Sequence, residues 1–453
     1  MMRRLVLAVL LLSALAAAAQ PPPRRPNVLF LMADDFRVEL GTYGSPALTP
    51  NLDLLARKSV QFDHAYCQQA VCNPSRSSLL TGRRPDTLRV WNNSTHFRDS
   101  NPDITTLPLW FKEQGYVTRC VGKIFHNWHT RVQGDPRSWS APEFLHYANH
   151  GDDLPQVAGP LPPNHAQTTV GFGYPKAGIC ECRDVPDEAY YDGRVAAEAV
   201  RVLAEVKDRP FFLAVGFWKP HAQFNAPKRY WDLYDRKRLP ALHPRRPNGA
   251  PELAFHESTE VLGPVATQRV PTAEQAAEMR HGYFANISYM DAQLGKVLRA
   301  LEQSGVQDRT IITFISDHGY HVGEQSLWGK TSNFELDARV PMLVHAPGVS
   351  SAGRRTASLV ELVDLFPTLV DLCRLPRPRG LEGVSLRPVL RDPTRSVKPA
   401  AFTQHPRPAY YDRIPPGLPL AMGVSVRTPR VRYTEWRDWK SGATTARELY
   451  AAG

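Results

Sequence analysis

Residues 28–33 read VLFLMA, six apolar residues without a polar break, and two carboxylates, Asp34 and Asp35, end the run. It is short for a buried helix and lacks the alternation of a half-exposed strand. It therefore reads as a strand covered on both faces. Further apolar runs occur at 116–121, 211–216, 310–315 and 341–345. Helical patterns lie between them. Thr49-Pro50 reads as N-cap and first helical residue for 50–55. Asn73-Pro74 opens a helix through Leu80 that ends near Gly82, and further helices are expected at 107–114 and 189–206. Thr272 and Gln275 make a capping box for a long helix to about Gln303, and 359–372 reads as another. This alternation predicts an α/β fold: a mainly parallel sheet sandwiched by helices. The tail differs. Residues 422–427, a turn at Thr428-Pro429, and 431–436 read as an antiparallel hairpin in a smaller α+β subdomain. Three parts are expected: 1–20, a main domain over 21–365, and the subdomain over 366–453, whose end is read as cut short.

Two stretches, 127–186 and 225–270, lack clean periodicity and are expected to be functional or inserted segments. Forty-one of 453 residues are proline, roughly twice the usual ~5%, which suits many short connections and excludes an all-helical bundle. Lysine and arginine number 55 against 44 acidic residues, a net charge of +11. That invites a polyanion reading, whether nucleic acid, membrane headgroups or sulfated sugar. The basic residues are scattered, however, and no nucleic-acid-binding signature is visible. Six cysteines are too few and too irregular for a disulfide scaffold.

Residues 1–20 read as an export signal. Arg3 and Arg4 precede an apolar stretch from Leu5 to Leu15, and Ala17-Ala18-Ala19 offers small residues for cleavage. The stretch is short of the ~20 residues that span a bilayer, so an exported chain with no stable membrane span is expected.

In a parallel α/β sheet, ligands bind beyond the carboxyl ends of the strands. Asp34 and Asp35 fall there, as do Lys123 and His126, Lys219 and His221, and Asp317 and His318, each group after a different predicted strand. Three aspartates and one histidine could hold a hard divalent cation such as Ca²⁺ or Mg²⁺; the bland reading of Asp34-Asp35 is a solvated turn. Cys72 sits just before a helix N-terminus, a place that lowers a thiol pKa and binds anions, and Arg76 lies one turn on along the same face. A buried, inert thiol is the other reading, and spacing does not choose between them.

The stretch Cys72-Asn73-Pro74-Ser75-Arg76, followed by Leu80-Thr81-Gly82, resembles the sulfatase signature. The resemblance extends in family order through Asn27-Val28-Leu29, Asp34-Asp35, Gly122-Lys123, Lys219-Pro220-His221, Ser316-Asp317-His318-Gly319 and Lys330, over about residues 27–450. Within the sulfatases the chain resembles the iduronate-2-sulfatase branch. The stretches that carry this are Gln68–Cys72, Thr81–Thr87, 211–216, Gly122–His126 and the segment from Glu361 to Leu369. The resemblance implies an alkaline-phosphatase-like fold and one bound Ca²⁺, with Asp34, Asp35, Asp317, His318 and the modified Cys72 as ligands. It implies that Cys72 is converted to formylglycine by a formylglycine-generating enzyme. Arg76 would hold that group, Lys123, Lys219 and Lys330 would grip the sulfate, and His126 and His221 would serve acid–base steps, with His221 as the acid for the leaving group. The substrate implied is a sulfated sugar or glycosaminoglycan, most specifically the 2-O-sulfate of iduronate in heparan or dermatan sulfate. The implied location is the periplasm or exterior of a bacterium, or an animal lysosome. A rival from the same superfamily is a phosphatase or phosphonate hydrolase, whose twin-metal sites need more ligands than the one set read here. A non-catalytic glycan-binding relative would lack a nucleophile or a ligand, and none is missing.

Overall fold

The apolar run becomes β1 (Asn27–Asp34), buried along its whole length. Strand pleating sends its side chains alternately to the two faces. Leu29, Leu31 and Ala33 join one core, and Val28, Phe30 and Met32 join the other. The structure, a computed structural model, describes residues 25–126, 130, 132–144, 180–240, 242–263 and 265–451. The leader read at 1–20 and residues 145–179 of the irregular stretch lie outside the described residues.

After β1 the chain forms α1 (Pro50–Lys58), β2 (Val60–Tyr66) and α2 (Cys72–Thr81). β3 (Val117–Gly122), α3 (Tyr191–Val206) and β4 (Phe211–Pro220) follow. Then come α4 (Ala273–Gln303), β5 (Thr310–Ser316), β6 (Met342–His345), β7 (Arg354–Glu361) and α5 (Leu365–Leu372). The central sheet runs β3–β4–β1–β5–β6–β2, with β7 on the far side of β2. β3, β4, β1 and β5 are parallel neighbours, and β6 is antiparallel to both β5 and β2. Helices α1, α3 and α4 cover one face: Val195, Val202, Phe284, Ile287 and Leu294 share a core with Leu29, Leu31, Leu213 and Phe314. Helices α2 and α5 cover the other, where Leu79, Leu80, Phe366 and Leu369 meet Phe30, Phe212 and Ile315. The expected mainly parallel, helix-sandwiched sheet is the observed one, and the Thr272/Gln275 capping box opens α4.

Two strands go beyond the sequence reading. β2, VQFDHAY, carries polar residues in mid-strand and so shows no clean period. β7 runs to Glu361, so residues 359–361 complete a strand where a helix start was expected, and the helix itself begins at Leu365. The hairpin in the tail is part of a four-stranded antiparallel sheet made of β8 (Ala401–Arg407), β9 (Ala421–Arg427), β10 (Val431–Asp438) and β11 (Thr444–Ala451). Its edge strand β8 docks beside the segment leading into α2. Gln404 N donates to Gln68 O (2.9 Å), and Thr403 Oγ1 donates to Cys67 O (2.7 Å).

One glycine pair decides how the chain leaves β3 for the site. A Cβ on Gly122 would lie 2.0 Å from Gly216 O, and one on Gly216 would lie 1.9 Å from Lys123 O. With both bare, Lys123 N reaches Gly216 O (2.9 Å), and the backbone turns at Gly122 with φ 77°, a conformation open to glycine. Parallel strand directions then bring the carboxyl ends of β1, β3, β4 and β5 to one edge.

Candidate active site

Cys72 is the first residue of α2, with Val71 as its N-cap, rather than the residue before the helix. Its Sγ lies 3.6 Å from Asp34 Oδ1 and 3.6 Å from the Lys123 ammonium, and Lys123 pairs with Asp34 Oδ2. Burial raises the Cys72 thiol pKa well above its ordinary value, and Asp34 adds to this against Lys123 and Lys330. Of the two readings that spacing left open, a thiol activated at a helix N-terminus and a buried thiol, the structure favours the second. The first turn has little field to give, because Asn73 N is taken by Asn93 Oδ1 (3.0 Å) and Pro74 has no N–H. Position 72 carries a protonated thiol, not a thiolate.

Arg76, one turn on, is wholly buried and meets groups from three strand ends. Nε pairs with Asp317 Oδ2 (2.8 Å), Nη1 donates to Lys123 O (2.7 Å) and Ile124 O (3.0 Å), and Nη2 lies 3.2 Å from Asp34 Oδ1. It thus ties together the ends of β1, β3 and β5. Burial alone would raise the Asp34 pKa, but Lys123, Arg76 and His221 outweigh it and hold the carboxyl well below its ordinary range.

Asp34, Cys72, Asp317 and His318 place one ligand atom each within 4.8 Å of one another, and all four residues are buried. The tautomer of His318 fits a cation. Its Nδ1 faces Gly319 O at 2.9 Å and must carry the proton, so Nε2 presents a lone pair. That Nε2 is buried with no hydrogen-bond partner, 3.5 Å from carboxylate oxygens of both Asp35 and Asp317. A lone pair facing carboxylates is repulsive until a cation sits between them. Asp35, held at φ 62°, closes the set: its N donates to Asp317 Oδ1 (3.2 Å), and its carboxylate accepts from Lys330 (2.8 and 3.1 Å). An oxygen-rich set with one imidazole suits a hard divalent ion such as Ca²⁺.

His221 Nδ1 bonds to Ala222 O, which leaves Nε2 as the lone-pair atom, 3.4 Å from Glu260 Oε1 and 3.7 Å from Asp35 Oδ2. Burial, and the neighbouring Lys330 cation, push His221 down to about 3, so the ring is neutral. In this form it accepts a proton; acting as the expected acid requires that it first gain one. The Lys219 ammonium is engaged by Gln223 O (2.7 Å) and by Asn225 Oδ1, and its backbone N donates to Asp192 Oδ2 (3.0 Å). His126 is buried three residues beyond Lys123.

Two residues of the site went unread in the sequence. Glu260 lies in the 225–270 stretch and accepts from Lys330 (2.8 Å) through Oε1; its Oε2 accepts from Tyr410 Oη (2.7 Å). Burial would raise the Glu260 pKa, but Lys330, His221 and Tyr410 hold it down to about 2. Tyr410 comes from the β8–β9 connection, in the subdomain where no site residue was expected. Both stand in stretches without periodicity, so no strand or helix end pointed to them.

A second buried trio, His256, His321 and Asp337, is a hydrogen-bonded network rather than a ligand set. His256 Nδ1 spends its lone pair on Ser258 N (3.0 Å), and His321 sits between Asp337 Oδ1 (2.6 Å) and Gln325 Oε1 (3.1 Å). All six cysteines are free, and Asn286, the first residue of an Asn-Ile-Ser triplet, is buried within α4, donating to Gly282 O. Among the described residues, no helix is long and apolar enough to cross a membrane.

A family model described as "Sulfatase" matches residues 26–375. The chain is 35% identical to the iduronate 2-sulfatase of Mus musculus over 474 aligned residues, covering 90% of this chain and 84% of that protein. The Homo sapiens iduronate 2-sulfatase is 34% identical with the same coverage. Among solved structures, the phosphonate monoester hydrolase of Agrobacterium radiobacter superposes with a TM-score of 0.76 at 25% identity, covering 94% of this chain and 89% of that one.

Proposed function

The chain belongs to the sulfatase family, sulfuric ester hydrolases, and we propose that it acts outside the cytoplasm on a sulfated sugar. The specific reading is the 2-O-sulfate of a uronate in heparan or dermatan sulfate. The observation that carries the sulfate-ester reading is the setting of Cys72, with an ammonium and a carboxylate each 3.6 Å from Sγ at the edge of a cation-ready ligand set. The likeness to the mouse and human iduronate 2-sulfatases supports the uronate.

In this reading Asp34, Asp35, Asp317, His318 and the modified side chain at 72 would hold Ca²⁺. A formylglycine-generating enzyme converts Cys72 before the enzyme is active. Once in place, the two groups supply a geminal-diol nucleophile and a Lewis acid for the sulfate oxygens. The buried, protonated thiol fits that reading, since the sulfur itself is a poor nucleophile here. The chain's own residues do the rest. Arg76 fixes Asp34 and Asp317 and so the lip on which position 72 stands. Lys123 donates toward the attacking oxygen and lowers its proton affinity. Lys330 brings a second fixed ammonium to the charge that develops on sulfate, where preorganised donors count most. Neutral His221 would take through Nε2 the proton given up by the attacking hydroxyl and return it to the leaving sugar oxygen.

The test is a panel of sulfated mono- and disaccharides, with a phosphonate and a phosphate monoester included. Sulfate release from 2-sulfated uronate, lost in Cys72→Ala with the fold intact, is the expected result. Release only from 6-sulfated hexosamine would overturn the uronate assignment. Faster turnover of the phosphonate than of any sulfate would overturn the sulfated-sugar reading.

A further inference from the structure

Glu260 is out of place by simple charge logic. A site that receives a sulfate loses affinity when a carboxylate stands at its mouth, yet Glu260 is ionised there with 16% of its side chain exposed. Its contacts account for this. Oε1 accepts from the Lys330 ammonium (2.8 Å) and lies 3.4 Å from His221 Nε2, while Oε2 is fully engaged by the Tyr410 hydroxyl at 2.7 Å. Lys330 divides its donors between Glu260 and Asp35. A lysine on a flexible four-carbon stem is not pre-organised on its own, and Asp35 also belongs to the cation's ligand set. Glu260 is the anchor that Lys330 does not share with the cation. Without it, the ammonium would fall onto Asp35 alone.

We propose that Glu260 is a positioning residue, setting the Lys330 ammonium, and that Tyr410 positions Glu260 in turn. The β8–β9 connection of the C-terminal sheet thereby controls Lys330 through one phenol–carboxylate contact. The effect on turnover rests on the sulfate-ester reading above; the effect on Lys330 does not.

The experiment compares wild type with Glu260→Gln, Glu260→Ala, Tyr410→Phe and the Glu260→Ala/Tyr410→Phe double variant. Each is followed by steady-state kinetics on the best substrate of the panel and by a crystal structure. Glu260→Ala should lower kcat about tenfold or more with a smaller change in KM, the size set by one charge-assisted hydrogen bond. Glu260→Gln keeps an acceptor for Lys330 and should recover part of the loss. Tyr410→Phe should lose less than Glu260→Ala. The double variant should be no worse than Glu260→Ala, because Tyr410 acts only through Glu260. In the Glu260→Ala crystal, Lys330 Nζ, which already meets both Asp35 oxygens at 2.8 and 3.1 Å, should shift away from position 260 while keeping its Asp35 contact. Strictly additive kcat losses would overturn the order Tyr410, then Glu260, then Lys330. An unmoved Lys330 would overturn the positioning role outright, even if the wild type cleaved no sulfate ester at all. That last result would condemn the sulfatase reading and leave the structural readout standing.

Discussion

Replacing Arg76 by lysine keeps the charge at the centre of the site and removes the fork that connects three strand ends. The wild-type guanidinium meets Asp317 Oδ2 at 2.8 Å, Lys123 O at 2.7 Å, Ile124 O at 3.0 Å and Asp34 Oδ1 at 3.2 Å, with no exposed surface. A lysine can follow one of the two carboxylates but cannot span both, and its ammonium ends short of at least one carbonyl. One buried carboxylate then loses its Arg76 contact and keeps only the others, Lys123 for Asp34 or the amides of Asp35 and His318 for Asp317, a change that costs up to about 3–5 kcal/mol. Urea unfolding at neutral pH in a chelator, followed by tryptophan fluorescence, should show the unfolding free energy falling by up to that amount, seen as a lower midpoint at an unchanged slope. Added Ca²⁺ should return less stability to Arg76→Lys than to wild type, because the displaced Asp34 and Asp317 bind it less well. Arg201 is the control. It pairs at similar lengths with Glu198 and Glu205, but its side chain is 55% exposed, so Arg201→Lys should not move the midpoint measurably. If Arg76→Lys unfolds with wild type, or no differently from Arg201→Lys, the argument that Arg76 locks the three strand ends is wrong.

Other outcomes follow from the same geometry. Chelation should lower the thermal midpoint of wild type, and Asp317→Asn should abolish that response, read by calorimetry with and without Ca²⁺. Burial would raise the Glu324 pKa, but Arg37, His321 and Arg280 hold it down to about 2. Its contribution is therefore present above the unfolded value near 4.5 and is lost as pH falls toward 2, an effect of about 3 kcal/mol. Glu324→Gln should flatten the stability–pH curve in that window. Asp291, in α4, accepts from Asn51 N (3.1 Å), Leu52 N (2.8 Å) and Asn51 Nδ2 (2.8 Å) at the start of α1. Asp291→Ala leaves the buried amide of Leu52 and the half-buried amide of Asn51 unanswered and should cost about 1–3 kcal/mol in urea unfolding.

The legible parts of this protein share one physical trait: a local pattern that tertiary context does not override. The run at 28–33 could only be a strand covered on both faces, and β1 is that strand. Thr272 and Gln275 cap α4 with their own side chains. The elements that escaped notice have ambiguous local patterns. β2 places Asp63 and His64 in mid-strand, and β7 begins with exposed arginines before it is buried. The site follows the same division. Asp34, Asp35, Lys123, His221, Asp317 and His318 were legible because each follows an apolar strand in a parallel sheet, whose topology sends all strand ends to one edge.

By itself, the sequence determined the α/β class, the edge at which chemistry collects, and the motif around Cys72. Only the tertiary structure decided what those residues are to one another. Arg76 is a buried clamp because the ends of β1, β3 and β5 all reach it. The thiol pKa of Cys72 is raised rather than lowered because burial beside Asp34 outweighs a first turn whose amides are spent or missing. Glu260 and Tyr410, 150 residues apart in the chain, share a hydrogen bond next to Lys330. Periodicity is a property of neighbours in sequence. Charge, burial and hydrogen bonding at this site are set by residues that only the packed sheet and its C-terminal partner bring together.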